Sequence, residues 1–275
     1  MTPSLRFYFS ILDKIAPQYA ANKVYHVLSN PRQRKLRDFE DEVLNKSEQE
    51  IISFKNFQIQ TYRWGKDNSR KAICVHGWEG QAGNFGAIVN MLVDKDFEVF
   101  AVDAPAHGYS SRGDTSMFEY IELVTQIAKE EKPEIIISHS FGSVVTAGVL
   151  RRNPDIEVKD WIMVTTPHNF RERILDVSKA LNVTNRTVDR LIKFIEDSTG
   201  EHIDDLNMSE FTRDLPNLDQ ALIIHSKQDK ILPIETSRMV HETMPKSELI
   251  ELENLGHYKI LWADEVISII KERIT

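Results

Sequence analysis

The stretch IIISHSFGSVV, residues 135–145, passes from an apolar run into a cluster of serine, histidine and glycine, and then into an apolar helical pattern. A short Ile-rich run of this kind is typical of a strand that is covered on both faces. Functional groups of parallel sheets gather where a strand ends and the next helix begins. The stretch therefore predicts a tight strand-to-helix turn that exposes Ser140. Ser138 and Gly142 are small because the strand and helix backbones nearly touch there.

Strand and helix patterns alternate from about residue 51 to the end of the chain. The apolar runs predict eight strands, at residues 50–54, 58–64, 71–76, 98–102, 134–138, 161–165, 221–226 and 248–252. Amphipathic patterns predict helices at residues 82–93, 117–131, 141–152, 237–244 and 263–273. Such alternation predicts an α/β fold with a doubly wound, mostly parallel eight-stranded sheet.

Two segments depart from this alternation and are treated as separate parts. Residues 168–218 are polar, contain two or three helical patterns and no strand pattern, and so predict a helical insertion between the core segments 51–167 and 219–275. Residues 1–50 predict an N-terminal helical extension with two helices separated by Pro17. Its basic cluster contains Arg32, Arg34, Lys35 and Arg37. We expect the extension to pack on the main domain with a solvated polar face. The alternative is a membrane-surface or partner-binding helix pair.

Composition narrows the classes of function. The net charge of −8 argues against a nucleic-acid partner, since phosphate binding requires an excess of Lys and Arg. The single cysteine, Cys74, excludes an intramolecular disulfide and lies within a strand pattern, where a buried thiol is expected. No apolar run reaches the roughly 18 residues of a spanning helix, and Arg6, Asp13 and Lys14 interrupt the only segment that resembles a signal peptide. We therefore expect a cytoplasmic chain without stable membrane insertion.

A serine hydroxyl needs a base before it can act as a nucleophile. Asp229 follows the strand pattern at 221–226, and His257 follows the one at 248–252. The order Ser140, Asp229, His257 places all three at the carboxyl ends of strands, on one edge of the sheet, as a triad on this topology requires. The sequence thus predicts Ser140 as nucleophile, His257 as base and Asp229 as the acid that orients it.

A tetrahedral oxyanion also requires backbone N–H donors. The amide of Phe141 opens the helix after Ser140 and is the first candidate. The loop HGWEG, residues 76–80, follows another strand and contains glycines that let its N–H groups turn towards a cleft, so Trp78 is the second candidate. No cysteine and histidine cluster has zinc spacing and no glycine-rich phosphate loop is present, so we expect no metal and no cofactor.

These motifs resemble those of the α/β-hydrolases. The resemblance rests on HGWEG (76–80), DAPAHGYS (103–110), SHSFG (138–142), HSKQDKILP (225–233) and NLGHYKIL (254–261), and covers the chain from about residue 58 onwards. It departs from the family pattern at Ala106, Ser138 and Ser226, where the family has or often has glycine. The resemblance implies the same triad and oxyanion amides, loop-fixing roles for His76 and His107, and a helical cap at 168–218. Some bacterial α/β-hydrolases with an N-terminal helical extension show a similar combination of motifs.

The favoured function is a serine hydrolase, carboxylesterase-like in its chemistry, that cleaves a small-molecule carboxylic ester or thioester through an acyl-enzyme on Ser140. The alternatives are a catalytically silent binding protein on the same fold, and a C–C hydrolase or acyltransferase that uses the same serine. Haloalkane dehalogenases and epoxide hydrolases resemble this fold but use an aspartate nucleophile, which Ser140 does not match.

The acyl pocket is the least specified part of the sequence. Trp78, Phe85, Met208 and Phe211 are the candidate substrate-binding residues, because the insertion must cross above the edge that carries Ser140. Ile192 and Ile195 share the helical spacing of Met208 and Phe211 and could also face the cleft. The alternative is that these apolar residues of the insertion only pack the cap against itself. The oligomeric state is not specified by the sequence.

Overall fold

A twisted sheet of eight strands lies at the centre of the molecule. The computed structural model describes residues 2–32 and 37–274. The strands are β1 (Glu48–Phe54), β2 (Phe57–Trp64), β3 (Arg70–Val75), β4 (Phe97–Val102), β5 (Ile135–His139), β6 (Val158–Val164), β7 (Leu218–Ser226) and β8 (Ser247–Leu252). Their order across the sheet is β1-β2-β4-β3-β5-β6-β7-β8. Strand β2 runs antiparallel to both of its neighbours, and the pairs from β4 to β8 are parallel. The predicted fold class is confirmed.

Helices cover both faces of the sheet and one of its edges. They are α1 (Pro3–Ile15), α2 (Pro17–Ser29), α3 (Asp38–Leu44), α4 (Gly86–Val93), α5 (Met117–Glu131), α6 (Phe141–Arg152), α7 (Phe170–Leu181), α8 (Asn185–Thr199), α9 (Met208–Thr212), α10 (Ile234–Thr243) and α11 (Asp264–Arg273). The predicted ends of α5 and α6 match the structure, and a 3-10 turn at Ala82–Phe85 precedes α4. In the described part of the chain, no helix has the length and apolar character needed to cross a bilayer.

Strands β6 and β7 begin three residues before their apolar runs. Strand β6 starts at Val158 rather than 161, and β7 starts at Leu218 rather than 221. The two strands pair from Val158 opposite Leu218 onwards, through polar residues such as Asp160 and Gln220. Backbone pairing, and not hydrophobicity, sets these strand ends, so the apolar pattern alone placed them too late.

Two hydrophobic clusters lie on opposite faces of the sheet because neighbouring strand residues point to opposite sides. In β5, Ile136 belongs to the cluster beneath α5, α6, α10 and the insertion, whereas Ile135 and Ile137 belong to the cluster beneath α3, α4 and α11. Burial on both faces explains why the central strands are apolar almost throughout.

The N-terminal fifty residues do not pack as one unit. Helices α1 and α2 pack against α7 and α8 of the insertion, whereas α3 packs against α4 and the turn that precedes it. Asp13 joins α1 to the start of α8, since its Oδ1 accepts hydrogen bonds from the N–H (3.0 Å) and the hydroxyl (2.9 Å) of Thr184. Of the basic cluster at the end of this segment, Arg34 and Lys35 lie outside the described residues. Helices α1 and α2 are therefore an addition to the cap rather than to the sheet.

Candidate active site

Ser140 lies at the turn between β5 and α6 in a strained backbone conformation. Its φ and ψ angles are 53° and −123°, a region that residues with a side chain rarely adopt and that costs about 1–3 kcal/mol. The surrounding backbone fixes this conformation, since the Ser140 N–H donates to the Thr165 carbonyl (2.8 Å) and its own carbonyl accepts from Ser143 N–H (2.9 Å). The turn carries the Ser140 side chain to the wall of a cleft of about 1210 Å³.

The small residues on either side of Ser140 have different roles. A Cβ atom on Gly142 would lie 2.1 Å from the Val75 carbonyl oxygen of β3, so only glycine fits there. Ser138 is fully buried, and its hydroxyl accepts a hydrogen bond from the Trp161 indole N–H (2.8 Å) and contacts the Ser143 hydroxyl (3.0 Å). The turn therefore requires the absence of a side chain at Gly142. At position 138 a serine is accommodated because its buried hydroxyl is hydrogen-bonded.

His257 and Asp229 form a hydrogen-bonded pair beside this turn. The Asp229 Oδ2 lies 2.7 Å from His257 Nδ1, and Oδ1 accepts the N–H groups of Ile231 (2.7 Å) and Leu232 (3.0 Å). Burial raises the pKa of Asp229, but contacts with His225 and His257 outweigh it and hold this pKa below its ordinary value. The carboxylate is thus ionised and accepts the Nδ1–H of His257, which leaves Nε2 unprotonated in the neutral ring.

The structure brings the three predicted triad residues to one edge of the sheet. Ser140 and His257 both line the cleft, and Asp229 lies behind His257 with its side chain only 1% exposed. Such an arrangement can activate a hydroxyl nucleophile, because the base reaches the cleft while the acid is shielded from water.

The two candidate oxyanion residues also lie together at this edge. The rings of Trp78 and Phe141 meet edge to face with centroids 5.6 Å apart, and both residues line the cleft with Ser140. Within the described residues, neither backbone N–H has a hydrogen-bond acceptor. A Cβ atom on Gly77 would lie 3.1 Å from the Ser140 Cβ, so glycine lets this loop approach the nucleophile closely. Two free amides beside a serine can stabilise a developing oxyanion.

His76 holds the Trp78 loop against the loop that follows β4. Its Nδ1–H donates to the Gly77 carbonyl (2.8 Å), and its Nε2 accepts the N–H of Ala104 (2.9 Å). Burial, with His107 nearby, lowers the pKa of His76 to about 3, so the ring stays neutral and can both donate and accept. His107 donates from Nδ1 to the Pro105 carbonyl (2.9 Å) and contacts the Trp78 ring. These contacts agree with loop-fixing roles for both histidines.

His139, within the turn motif itself, is a positioning residue that the sequence analysis did not single out. It is buried, and its Nε2–H donates to the backbone carbonyl of His257 (2.9 Å) while the two rings lie 4.8 Å apart. Burial beside His257 lowers the pKa of His139 to about 3, so the ring is neutral. A polar ring inside an otherwise apolar strand is the sequence signal that points to such a role.

A second positioning residue, Ser226, stands where related sequences often have glycine. Its hydroxyl accepts the N–H of Leu255 (3.1 Å), in the loop that carries His257. The neighbouring Gln228 adds two contacts to the same loop, by accepting the Asn254 N–H (2.6 Å) and donating to Glu253 (2.7 Å). The loops that carry the acid and the base are therefore cross-linked by side chains of the acid loop.

The cleft has an apolar lining that comes from both the cap and the N-terminal helices. The apolar and aromatic residues that line it include Tyr25, Leu28, Met117, Phe118, Val144, Phe170, Ile195 and Leu206. Two ion pairs join charged residues of this lining, Arg32–Glu79 (2.7 Å) and Arg152–Glu201 (2.6 Å). Arg32 thus ties the N-terminal extension to the loop that carries Trp78.

Three predicted pocket residues lie elsewhere, which corrects the sequence interpretation. Phe85 is fully buried on the opposite face of the sheet, in the cluster beneath α4. Met208 and Phe211 are buried where α9 packs against α6 and α10, so they join the cap to the core. Helical spacing correctly identified these residues as buried. It does not show whether the buried side of α9 faces the core or the cleft. Of the four candidates, Trp78 alone lines the cleft.

Neither a metal-binding cluster nor an accessible thiol is found in residues 2–32 and 37–274. No group of three or more His, Cys, Asp or Glu side chains is arranged there to bind a metal. Cys74 is buried in β3, and burial raises the pKa of its thiol, so the thiol stays protonated.

The chain belongs to the family described as serine aminopeptidase, S33, whose model matches residues 67–209. A Bacillus subtilis (strain 168) protein described as the uncharacterized hydrolase YugF is 24% identical over 242 residues, which cover 74% of this chain and 87% of that protein. A zebrafish (Danio rerio) serine hydrolase-like protein is 28% identical over 129 residues, 43% of this chain and 39% of the relative's length. The solved structure of mouse alpha/beta hydrolase domain-containing protein 10 covers 82% of this chain and matches over 96% of its own chain, with a TM-score of 0.63 and 14% identity. The last match supports the α/β-hydrolase fold alone, and the family match supports a hydrolase.

We predict that His139→Leu lowers turnover of a p-nitrophenyl ester about ten-fold or more, because the buried carbonyl of His257 loses its donor and the base shifts. His139→Gln keeps an N–H donor and should recover most of the loss. His241→Leu, which removes a histidine bonded to Ser247 away from the cleft, is the matched control. Full activity in His139→Leu, or equal loss in both His139 variants, would contradict a positioning role.

Proposed function

We propose that this member of the serine aminopeptidase S33 family hydrolyses carboxylic esters or thioesters through an acyl-enzyme on Ser140. The observation that carries the proposal is the 2.7 Å His257–Asp229 pair, whose imidazole lines the same cleft as a serine held in a strained turn. Strain at a residue with a side chain persists where the surrounding structure enforces it, and it concentrates at functional sites.

Acylation uses the three side chains in sequence. The Ser140 Oγ attacks the acyl carbon as its proton moves to His257 Nε2, and Asp229 stabilises the imidazolium that results. The carbonyl oxygen becomes an oxyanion and accepts the N–H groups of Trp78 and Phe141. When the tetrahedral intermediate collapses, its bond to the leaving group breaks, and the alcohol or thiol departs with the proton from His257.

Deacylation repeats these steps with water as the nucleophile. His257, neutral again, removes a proton from a water molecule, which attacks the acyl carbon of the Ser140 ester. The second oxyanion uses the same two amides, and its collapse releases the carboxylic acid and returns the proton to Ser140. The pKa of Asp229 lies below its ordinary value, so this carboxylate stays ionised at mildly acid pH and does not set the acid limb of the rate profile.

The description of the family raises peptide amides as a second substrate class. An aminopeptidase needs a free carboxylate to bind the substrate ammonium group. In the cleft, Glu79 is bound by Arg32, Glu201 by Arg152 (2.6 Å), and Asp114 by Asn30 (2.9 Å). The apolar lining and these engaged carboxylates favour an acyl chain over a charged amino terminus. Glu172 and Asp176 also line the cleft, so amide substrates belong in the test.

The catalytic prediction concerns Ser140 and His257. Ser140→Ala and His257→Ala should each reduce hydrolysis of a p-nitrophenyl ester on the order of 10⁴-fold, and Asp229→Asn should reduce it sharply through the wrong tautomer. Asp214→Asn, an exposed carboxylate of the insertion, is the matched control and should leave the rate unchanged. Aminoacyl p-nitroanilides and acyl-transfer acceptors are assayed alongside.

Retention of most activity in either Ser140→Ala or His257→Ala would overturn the mechanism. Activity against anilides that exceeds ester hydrolysis would favour the peptidase. Acyl transfer that outcompetes hydrolysis would favour the acyltransferase. A folded wild-type chain that reacts with none of these substrates, nor with a fluorophosphonate, would favour a silent binding protein.

The specificity prediction concerns the cleft wall. Each substrate methylene that is buried contributes up to about 0.8 kcal/mol, so kcat/KM should rise with acyl length. Phe170→Ala and Leu28→Ala should lower the ratio of kcat/KM between octanoate and acetate esters several-fold, with the acetate rate nearly unchanged. Met208→Ala should leave this ratio unchanged and lower the melting temperature, since a buried Met→Ala change costs about 2–5 kcal/mol. The opposite pattern would place the pocket beneath α9.

A further inference from the structure

The outer face of α1 is apolar and exposed. Phe7 is 67% exposed and Ile15 is 74% exposed, with Ile11 between them at 43% on the same side of the helix. Tyr8 and, at the start of α2, Tyr19 extend this surface. These five residues, named the outer face below, contradict the expectation of a solvated polar face for the N-terminal extension.

The outer face belongs to a fixed helix and not to a frayed end. On its other side, Phe9 is buried in the main hydrophobic cluster and Leu5 packs against it. Asp13, which is also buried, bonds to Thr184 at the start of α8 as described above. A helix that is apolar on two opposite sides is characteristic of one that is covered on both. The protein covers the inner side only.

The charges around the outer face are positive. Residues 2–30 contain three cations, Arg6, Lys14 and Lys23, and a single acid, Asp13, whereas the whole chain has a net charge of −8. Asp13 is buried and hydrogen-bonded, so it does not offset the cations at the surface. Lys23 lies over the Tyr19 ring, with Nζ 5.3 Å from the ring centroid, and therefore borders the outer face.

We propose that α1 and α2 dock the outer face on an anionic lipid surface, with α1 lying in the plane of the membrane. Exposed aromatic and aliphatic side chains flanked by Arg and Lys match the boundary between acyl chains and negatively charged headgroups. A second copy of the chain fits less well, because a symmetric contact would bring Arg6 and Lys14 of one copy towards those of the other without an exposed acid between them.

Docking of the outer face on a membrane would place the cleft close to the lipid. Helix α2 packs against α8 and also contributes Tyr25, Leu28 and Ser29 to the cleft lining. A helix is about 10 Å across, so a membrane beneath this helix pair would lie within about one helix diameter of the wall of the cleft. The surface would thus bring the protein to acyl substrates that partition into membranes.

The test is co-sedimentation with vesicles, using the full chain and the Ser140→Ala variant so that turnover plays no part. Vesicles of phosphatidylcholine with about one third phosphatidylglycerol should bind the protein, and phosphatidylcholine alone should bind it far less. High salt should weaken binding. Phe7→Ser/Ile11→Ser/Ile15→Ser should lower the binding constant roughly ten-fold or more for each side chain. Ile15→Ser is the milder variant if the triple change impairs folding.

Matched control variants distinguish vesicle binding through the outer face from non-specific binding through other exposed apolar residues. Arg6→Gln/Lys14→Gln/Lys23→Gln should lower binding about five-fold per cation. Ile51→Ser/Met239→Ser, which changes two exposed apolar residues outside the helix pair, should bind as the wild type does.

Three results would overturn the proposal: equal binding to neutral and anionic vesicles, no binding to either, or a dimer by light scattering that the triple serine variant abolishes. Since none of these readouts is hydrolysis, the proposal can fail while the proposed function holds.

Discussion

The close approach of β5 and α6 to β3 is the constraint on which the site depends. Gly142 packs against the Val75 carbonyl with no room for a side chain, and this contact forces the chain to turn within one residue. Ser140 adopts the strained backbone conformation at this turn, and its half-buried side chain lines the cleft. The same contact places the loop after β3 beside Ser140, so the side chains of Trp78 and Phe141 lie in contact. Nucleophile and candidate oxyanion amides therefore follow from one packing requirement.

The base and the acid depend on a different set of contacts. Asp229 and His257 come from the loops after β7 and β8, at one edge of the sheet, whereas Trp78 lies in the loop after the central strand β3. His139 reaches across from the serine turn to the His257 backbone, and Ser226 joins the acid loop to the histidine loop. These two side chains link the base to the nucleophile and to the acid. The geometry of the candidate triad therefore rests in part on His139 and Ser226, which support its loops through hydrogen bonds.

The sequence was most informative where local pattern and chemistry coincide. Buried strands, the serine turn and the loops after β7 and β8 were predictable because each depends on a short run of residues and on the rule that functional groups lie at strand ends. The pocket was not predictable, since Met208 and Phe211 have the same helical spacing whether they face the core or the cleft. The role of Leu28 was hidden as well, because no local pattern tells that α2 packs on the cap and lines the cleft.

If Ser140 is the nucleophile, a fluorophosphonate should form a phosphonate ester on its hydroxyl with loss of fluoride, and mass spectrometry of the treated protein measures this directly. Our account predicts one adduct per chain, located on the peptide that contains Ser140, formed much more slowly in His257→Ala. An adduct on another serine, or an unmodified chain that is fully folded, would contradict it.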